Sequence, residues 1–333
     1  MMGLSSSWRA AVAAGVAVCF ALTACSPSNE EPAETGAGSG TQSGFPRAIA
    51  HAMGETTIES PPQTVAALDS SYVDAALALE TEVVAYTKYP SYDALPDYLG
   101  GDAQYGEDAR IIGALASPDI EQLYDIAPDL IVSAKIRHEN IYTELSNVAP
   151  TVFSETTGAT WKDNIRLLGE ALGKEALAEQ KIGTYEERAR KIGEAIEEKL
   201  GRTPTYSLVR FIEGEATVRL YSAESFPGIV LADVGLARPE GQPNAQGKIA
   251  TDLSQENIGE LDADHIYVST YADDTQDAAD PRAQFQSNPL WGRLTGQIAN
   301  VNDDTWYTSV SLQGAHAMLD DIADEFGVDP ARD

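Results

Sequence analysis

Cysteine is almost absent from this chain of 333 residues, which contains only Cys19 and Cys25. The sequence after Cys25 therefore offers neither a disulfide nor a thiol nucleophile. The G-x-S-x-G pattern of a serine nucleophile is also absent. An exported hydrolase would need a nucleophile with its base, or a metal triad, and neither is visible. The sequence thus favours a protein that is not an enzyme.

Histidine is scarce and scattered. The four histidines are His51, His138, His265 and His316, with no pair spaced four residues apart and no cysteine partner. Because bare divalent transition metals are usually held by imidazole or thiolate groups, the sequence predicts no protein-bound metal and no intrinsic cofactor. Fe³⁺ held by tyrosine oxygens stays possible, since the chain has 14 tyrosines.

Basic residues are few. Lys and Arg number 22 against 52 Asp and Glu, which gives a formal net charge of −30. Nucleic acid binding needs a basic stripe for the phosphates, so no nucleic acid partner is expected. The same charge argues against an electrostatic attachment to anionic lipids.

The N-terminus is typical of a lipoprotein. Residues 1–24 predict a signal peptide, with Arg9 before an apolar run at 10–22 that is too short to span a bilayer comfortably. The sequence LTAC at 22–25 matches the pattern in which the cysteine is acylated and becomes the new N-terminus. We therefore expect a lipid anchor on Cys25 at the extracytoplasmic face of the cell membrane, with ordinary secretory cleavage as the alternative. Residues 25–44 predict a flexible acidic linker, because no large apolar side chain follows the cysteine.

The body alternates short apolar runs with helical patterns. Between residues 45 and 173, the runs at 65–68, 83–86, 130–133 and 151–153 predict buried strands. Apolar residues at helical spacing lie between these runs and again at 161–172. This alternation predicts an α/β lobe with a mostly parallel sheet.

A long helix and a second lobe follow. Residues 174–201 lack proline, and Gly201 supplies a stop. One face of this predicted helix carries an apolar stripe of Tyr185, Ala189, Ile192, Ile196 and Leu200. Residues 202–333 repeat the α/β pattern, with a hairpin at 206–212 and 217–221, a helix at 229–234, a strand at 265–270 and a closing helix at 312–326.

Several motifs occur in a fixed order along residues 47–327. The first lobe has PDIEQLYDIAPDLIV at 118–132, YTELSNVAPTV at 142–152, and Trp161 followed by LGEALG at 168–173. The second lobe has VRF at 209–211, RLY at 219–221, SF at 225–226 and DVGLARP at 233–239. Together these motifs resemble the substrate-binding lipoproteins of iron-siderophore ABC importers, and the second set resembles the hydroxamate-binding subgroup.

The resemblance implies a class III periplasmic-binding-protein fold, in which two Rossmann-like lobes are joined by a single long α-helix. It also implies a monomeric receptor that delivers a ferric siderophore, hydroxamate in type, to an ABC permease. Such a chelate already surrounds Fe³⁺ with oxygens, so the receptor needs aromatic surface and guanidinium donors instead of metal ligands. The residues expected to contact the ligand are Tyr89, Arg110, Lys135, Arg137, Trp161, Arg210, Arg219, Tyr221 and Phe226.

Two glutamates occupy matching places in the two lobes. EQLYDIAPDLIV begins at Glu121 and ENIGELDADHIYV begins at Glu256, and each unit predicts a helix that leads into a buried strand. In the family that this chain resembles, such glutamates dock into arginines of the permease. The alternative is helix N-terminal acidity, which the macrodipole favours, although it does not explain the recurrence.

Other functions remain open on the sequence alone. Within the same class, the ligand could be a ferric catecholate, haem or a corrinoid. Haem would ordinarily ask for a His or Tyr axial ligand, and no histidine is convincingly placed. An exported hydrolase and a structural surface lipoprotein are the alternatives from other classes.

Overall fold

The structure is a computed structural model that describes residues 44–271 and 281–332. The predicted signal peptide, the predicted lipid anchor on Cys25 and all of the predicted linker except Gly44 lie outside the described residues. In the part of the chain that the structure describes, no helix is long and apolar enough to span a membrane.

The first lobe is built on a parallel sheet with the strand order β5-β4-β3-β8-β9. The strands before residue 160 are β1 (Arg47–His51), β2 (Gly54–Ile58), β3 (Thr64–Ala67), β4 (Glu82–Tyr86), β5 (Arg110–Ile111), β6 (Gly113–Ala114), β7 (Ser117–Pro118), β8 (Leu130–Ala134) and β9 (Thr151–Ser154). The helices are α1 (Ser70–Ala78), α2 (Ile120–Ile126), α3 (Lys135–His138), α4 (Tyr142–Ser146) and α5 (Trp161–Leu172), with short 3₁₀ segments at Asp97–Gly106 and Glu139–Ile141. All the strands predicted for this lobe are confirmed, to within a residue or two at their ends.

A single helix of 26 residues, α6 (Glu175–Leu200), connects the two sheets. At 1.5 Å per residue it is about 39 Å long. Its buried stripe runs from Ala178 to Ile196. The predicted stripe was wrong at its last member, because Leu200 is 42% exposed. Gly201 ends the helix with a φ of 67°, a left-handed conformation that glycine adopts without a steric penalty.

The second sheet has the order β12-β11-β10-β13-β14. Its strands are β10 (Tyr206–Ile212), β11 (Val218–Tyr221), β12 (Ala250–Leu253), β13 (His265–Tyr271) and β14 (Gln297–Asn300). The helices are α7 (Phe226–Asp233), α8 (Pro281–Ser287) and α9 (Leu312–Phe326), with short helical segments at Gln255–Leu261, Trp291–Arg293 and Asp304–Thr308. The predicted hairpin is confirmed, since β10 and β11 pair antiparallel with Arg210 opposite Arg219.

The two lobes share one hydrophobic core. It joins Leu77 of α1, Tyr185 of α6 and Met318 of α9 in one cluster. Polar bonds cross the same interface: the Gln313 amide donates to the backbone oxygen of Asp74 over 3.0 Å, and the Tyr92 hydroxyl donates to the Asp304 carboxylate over 2.8 Å. Separating the lobes would expose apolar surface to water, so the shared core opposes large rigid-body movement. We propose that the body divides into residues 45–173, 174–201 and 202–333, because one sheet precedes α6 and the other follows it.

Candidate functional site

A cleft of about 640 Å³ lies between the two lobes. On the first-lobe side it is lined by residues that directly follow the parallel strands: Asp69 and Ser70 after β3, Lys88 after β4, and Arg137 after β8. On the other side the lining comes from β10, the end of β13 and the segment 307–310. Ligands of open α/β sheets bind where strands end at their carboxyl side, and the volume is typical of a small-molecule site.

Arg210 is the most firmly held cation of the cleft. Its Nε and Nη2 atoms donate to the two carboxylate oxygens of Asp303 over 2.7 and 2.5 Å. Nη1 donates to the Tyr221 hydroxyl over 3.0 Å. The guanidinium carbon lies 5.0 and 5.3 Å from the ring centroids of Tyr271 and Tyr307. A bidentate carboxylate and two aromatic faces leave the guanidinium little rotational freedom, so it is oriented before any ligand arrives.

The hairpin contributes further groups to the same wall. Arg219 projects from β11 and pairs with Glu215 over 2.5 Å, with both side chains one-third exposed. Tyr221 follows on β11, with its ring 4.7 Å from that of Tyr307 in an edge-to-face arrangement. Phe226 begins α7, where the Ser225 hydroxyl caps the helix by accepting from the Gly228 amide. The structure therefore brings four of the predicted contact residues, Arg210, Arg219, Tyr221 and Phe226, to the second-lobe wall.

The first-lobe wall carries two cations. Arg137 donates to Asp69 over 2.9 Å, and its side chain is 40% exposed. Asp69 is held in turn as the N-cap of α1, where it accepts from the Ser71 amide. Lys88 pairs with the exposed Asp93 over 2.6 Å. Among the described residues that line the cleft, the four cations each pair with a carboxylate, so these pairs together carry little net charge.

Four of the predicted contact residues lie outside the cleft. Tyr89 is 2% exposed, and its hydroxyl donates into the protein interior, to Asp74 over 2.5 Å. Trp161 is also 2% exposed and packs behind Phe226, with ring centroids 5.7 Å apart. Arg110 is exposed on the edge strand β5. Lys135 pairs with Glu155 over 3.1 Å. None of these four side chains is among the described residues that line the cleft, since Tyr89 and Trp161 are enclosed by the core and the other two lie outside the lining.

Several residues that line the cleft were not predicted from the sequence. Lys88 follows the same strand as Tyr89, and the signal that selected Tyr89 applied equally to it. Tyr271, Tyr307 and Thr308 also line the cleft. None of these three residues belongs to a motif that was recognised in the sequence. Asp303, which orients Arg210, lies 93 residues from Arg210 along the chain. Only the fold brings these residues together.

The His, Cys, Asp and Glu side chains of the described residues do not form a metal-binding cluster. Within residues 44–271 and 281–332, no group of three or more His, Cys, Asp or Glu side chains could hold a metal ion. Burial raises the pKa of the Tyr307 hydroxyl well above 10, and the nearby Tyr221 and Asp303 add to the effect.

Glu121 and Glu256 hold matching positions, as their sequence units predict. Glu121 is exposed in the first turn of α2, which leads into β8 beside the central strand β3. Glu256 is exposed in the first turn of the 3₁₀ segment Gln255–Leu261, which leads into β13 beside the central strand β10. The second unit is thus a 3₁₀ turn where the sequence predicted a helix of the same kind as in the first lobe.

Comparison with known proteins places this architecture. The model of a family described as periplasmic binding protein matches residues 65–298. The chain is 32% identical over 317 residues to the probable siderophore-binding lipoprotein YfiY of Bacillus subtilis, covering 92% of this chain and 94% of that protein. It is 24% identical over 311 residues to the Fe(3+)-citrate-binding protein YfmC of the same organism, covering 91% and 92%.

A solved structure is similar over most of its length. SirA of Staphylococcus aureus, in complex with staphyloferrin B, superimposes with a TM-score of 0.78 at 28% identity, covering 85% of this chain and 99% of SirA. This chain belongs to the periplasmic binding protein family. The resemblance to siderophore-binding proteins is confirmed, as is the two-lobed fold with a single long helix, whereas the hydroxamate subgroup stays a prediction. Members of this family are binding proteins and not enzymes.

Proposed function

We propose that this chain is the extracytoplasmic receptor of an ABC importer and that its cleft captures a ferric siderophore. The observation that carries the proposal is the cleft between the lobes, where oriented guanidinium groups and tyrosine rings converge without a set of metal ligands. Such groups suit the outer oxygens and the organic backbone of a chelate whose iron is already coordinated. The names of the relatives support the same class of ligand.

We further propose that the chelate has a low net charge, as a ferric trihydroxamate does. The support is the pairing of each cleft cation with a carboxylate, for example Arg210 with Asp303 and Arg137 with Asp69. A chelate with several negative charges would repel the carboxylates or require the pairs to separate. No histidine is among the described residues that line the cleft, which disfavours haem.

Fluorescence titration tests this proposal. The purified body should lose tryptophan emission when ferric trihydroxamate is added, because Trp161 packs on Phe226 of the cleft wall and Trp306 adjoins Tyr307. We expect saturation with a sub-micromolar Kd, on the order of −8 kcal/mol or better. Ferric dicitrate, a ferric catecholate, haemin and cobalamin are titrated in parallel. Tighter binding of one of these would contradict the hydroxamate assignment, and no response to any chelate would contradict the receptor function.

We propose that Cys25 carries a lipid anchor and that residues 26–44 are the tether. The net charge of −30 disfavours electrostatic binding of the chain to anionic lipids. A tether would keep the receptor near its permease. The family and the lipoprotein relative support this location outside the cytoplasm.

Glu121 and Glu256 are proposed to dock on arginines of the permease, one glutamate from each lobe. Both are exposed, and neither forms an ion pair with another described residue. Replacing both by lysine should reduce uptake of ⁵⁵Fe-labelled chelate to the level of cells without the receptor. Binding by the purified protein should change less than about twofold, because surface substitutions away from the cleft cost little.

The matched control for that experiment replaces Glu144 and Glu240 by lysine. These glutamates are also exposed, one in each lobe, and the change in net charge is the same. The control should take up iron like the wild type. Loss of chelate binding in the Glu121→Lys, Glu256→Lys protein, or equal loss of uptake in the control, would refute the docking assignment.

A further inference from the structure

Two strongly exposed isoleucines face the cleft from opposite lobes. Ile136 of α3 is 65% exposed and Ile249, just before β12, is 51% exposed. Both line the cleft. We call this pair the apolar lips. Elsewhere on the described surface, the one other exposed isoleucine is Ile298, which is 38% exposed on the edge strand β14 outside the cleft.

The first lip is held on a fixed backbone. The Ile136 amide donates to the Glu155 carbonyl over 3.2 Å. Its neighbours on either side are tied down, Lys135 to Glu155 over 3.1 Å and Arg137 to Asp69 over 2.9 Å. Because the flanking side chains are paired, the turn cannot easily rotate to bury Ile136.

The second lip is held in a comparable way. The Ser222 amide donates to the Ile249 carbonyl over 2.8 Å, and the Ser222 hydroxyl donates to the Lys248 carbonyl over 2.8 Å. The Gly247 amide donates to the Glu224 carboxylate over 2.9 Å. The backbone on both sides of Ile249 is therefore fixed, and its side chain stays in water.

The lips continue the apolar part of the cleft. Leu115 lies on the first-lobe wall, and Ile212 and Phe226 lie on the second. When a ligand covers an exposed apolar side chain, apolar surface is removed from water, and this burial favours binding. A purely oxygen-rich chelate offers these side chains no apolar partner, whereas a hydrocarbon chain or ring does.

We propose that the apolar lips are specificity-determining residues that bind the hydrocarbon backbone of the ferric siderophore, outside its iron-coordinating groups. The ligand class is therefore a chelate with aliphatic or aromatic segments between its oxygen donors. This inference rests on the proposed function, since it assigns chemistry to the mouth of the same cleft. We expect the chelate itself to cover the lips, because they are continuous with the apolar lining of the cleft.

The test compares two chelates with the same iron coordination. One is the ferric complex of a linear trihydroxamate with pentamethylene spacers, and the other is ferric tris(acetohydroxamate), which lacks the spacers. Ile136→Ser with Ile249→Ser should weaken binding of the first chelate by about 10-fold, because the serine side chains no longer bury apolar surface against its spacers. Binding of the second should change less than about twofold, and Ile298→Ser should bind both like the wild type.

The outcomes separate the two proposals. Equal losses for both chelates, or no loss for either, would overturn the role of the lips while leaving the receptor function standing. Unchanged binding with impaired ⁵⁵Fe uptake would also overturn it, because the lips would then contact the permease. A wild-type protein that binds no ferric chelate would overturn the proposed function itself, and the inference with it. Thermal unfolding of each variant confirms that the fold is intact.

Discussion

Replacing Arg210 by alanine is expected to weaken binding of the ferric chelate by about 100-fold, the largest loss from any single residue of the cleft. The guanidinium is the cleft cation most firmly held in one orientation, and its side chain is only 12% exposed. The same change should lower the free energy of unfolding by about 3 kcal/mol, because it leaves the Asp303 carboxylate buried without its partner. Fluorescence titration and urea denaturation measure the two effects.

The control for this prediction removes both charges. Arg210→Gln with Asp303→Asn should restore part of the stability, since no unpaired buried charge remains, but it should not restore binding. Arg210→Lys keeps the charge and loses the planar fork, so it should recover stability better than affinity. Wild-type affinity in Arg210→Ala would show that the guanidinium is a structural partner of Asp303 and has no part in binding.

Replacing Asp74 by asparagine should stabilise the protein at neutral pH. Asp74 lies in α1 at the interface with the second lobe and is fully buried. It accepts from the hydroxyls of Tyr89 over 2.5 Å and Tyr98 over 3.0 Å. Burial nevertheless raises the pKa of this carboxyl from 3.8 to about 7, against the lowering effect of these bonds and of the Ser311 hydroxyl.

The sign of the pH dependence follows from that rise. The folded protein holds the proton more tightly than the unfolded chain, so the contribution of Asp74 to stability is fully present below about pH 4 and is lost as the pH rises through about 7. The change corresponds to roughly 4 kcal/mol. Asparagine has no charge to bury, so the difference in unfolding free energy between variant and wild type should grow by this amount from pH 4 to pH 8.

Urea denaturation at a series of pH values measures that difference. Using the difference removes the contributions of other titrating groups, such as His316, whose pKa burial lowers to about 4. The exposed Asp97→Asn is the matched control, since it removes one carboxylate from the same region without a burial cost. A difference for Asp74→Asn that stays constant with pH would contradict the prediction.

The elements of the fold were readable from local patterns. The strands β3, β4, β8 and β9 are short apolar runs between turn residues. A run that is apolar on both faces is typical of a strand in a sheet that is covered on both sides. The helix α6 was predicted from its apolar stripe and from the absence of proline. The closing helix was predicted with both of its ends, Leu312 and Phe326. The hairpin β1–β2 and the edge strands β12 and β14 were missed, because their side chains are largely exposed and carry no clear alternation.

The site was predictable only in part. The rule that ligand contacts follow strand ends pointed to the right loops, but it could not choose between adjacent residues. Lys88 lines the cleft while Tyr89 turns inward to Asp74. Consecutive residues at a strand end face opposite ways, and which of them faces the cleft depends on the local path of the chain. The pairing of Arg210 with Asp303 could not be predicted for a different reason. The two residues are 93 positions apart, and their contact exists only after the second lobe has folded.

The sequence by itself determined the class of this protein. Its scarce cysteine and histidine argued against a thiol nucleophile and an imidazole metal site, and its few basic residues argued against nucleic acid binding. Its apolar periodicity and ordered motifs predicted two α/β lobes joined by one helix. The tertiary structure decided which side chains meet. It placed the cations of the cleft beside their carboxylates, enclosed Trp161 and Tyr89, and left Ile136 and Ile249 in water on fixed backbones. The physical reason is that periodicity is a property of neighbours along the chain, whereas charge pairing, burial and exposure are set by neighbours in space.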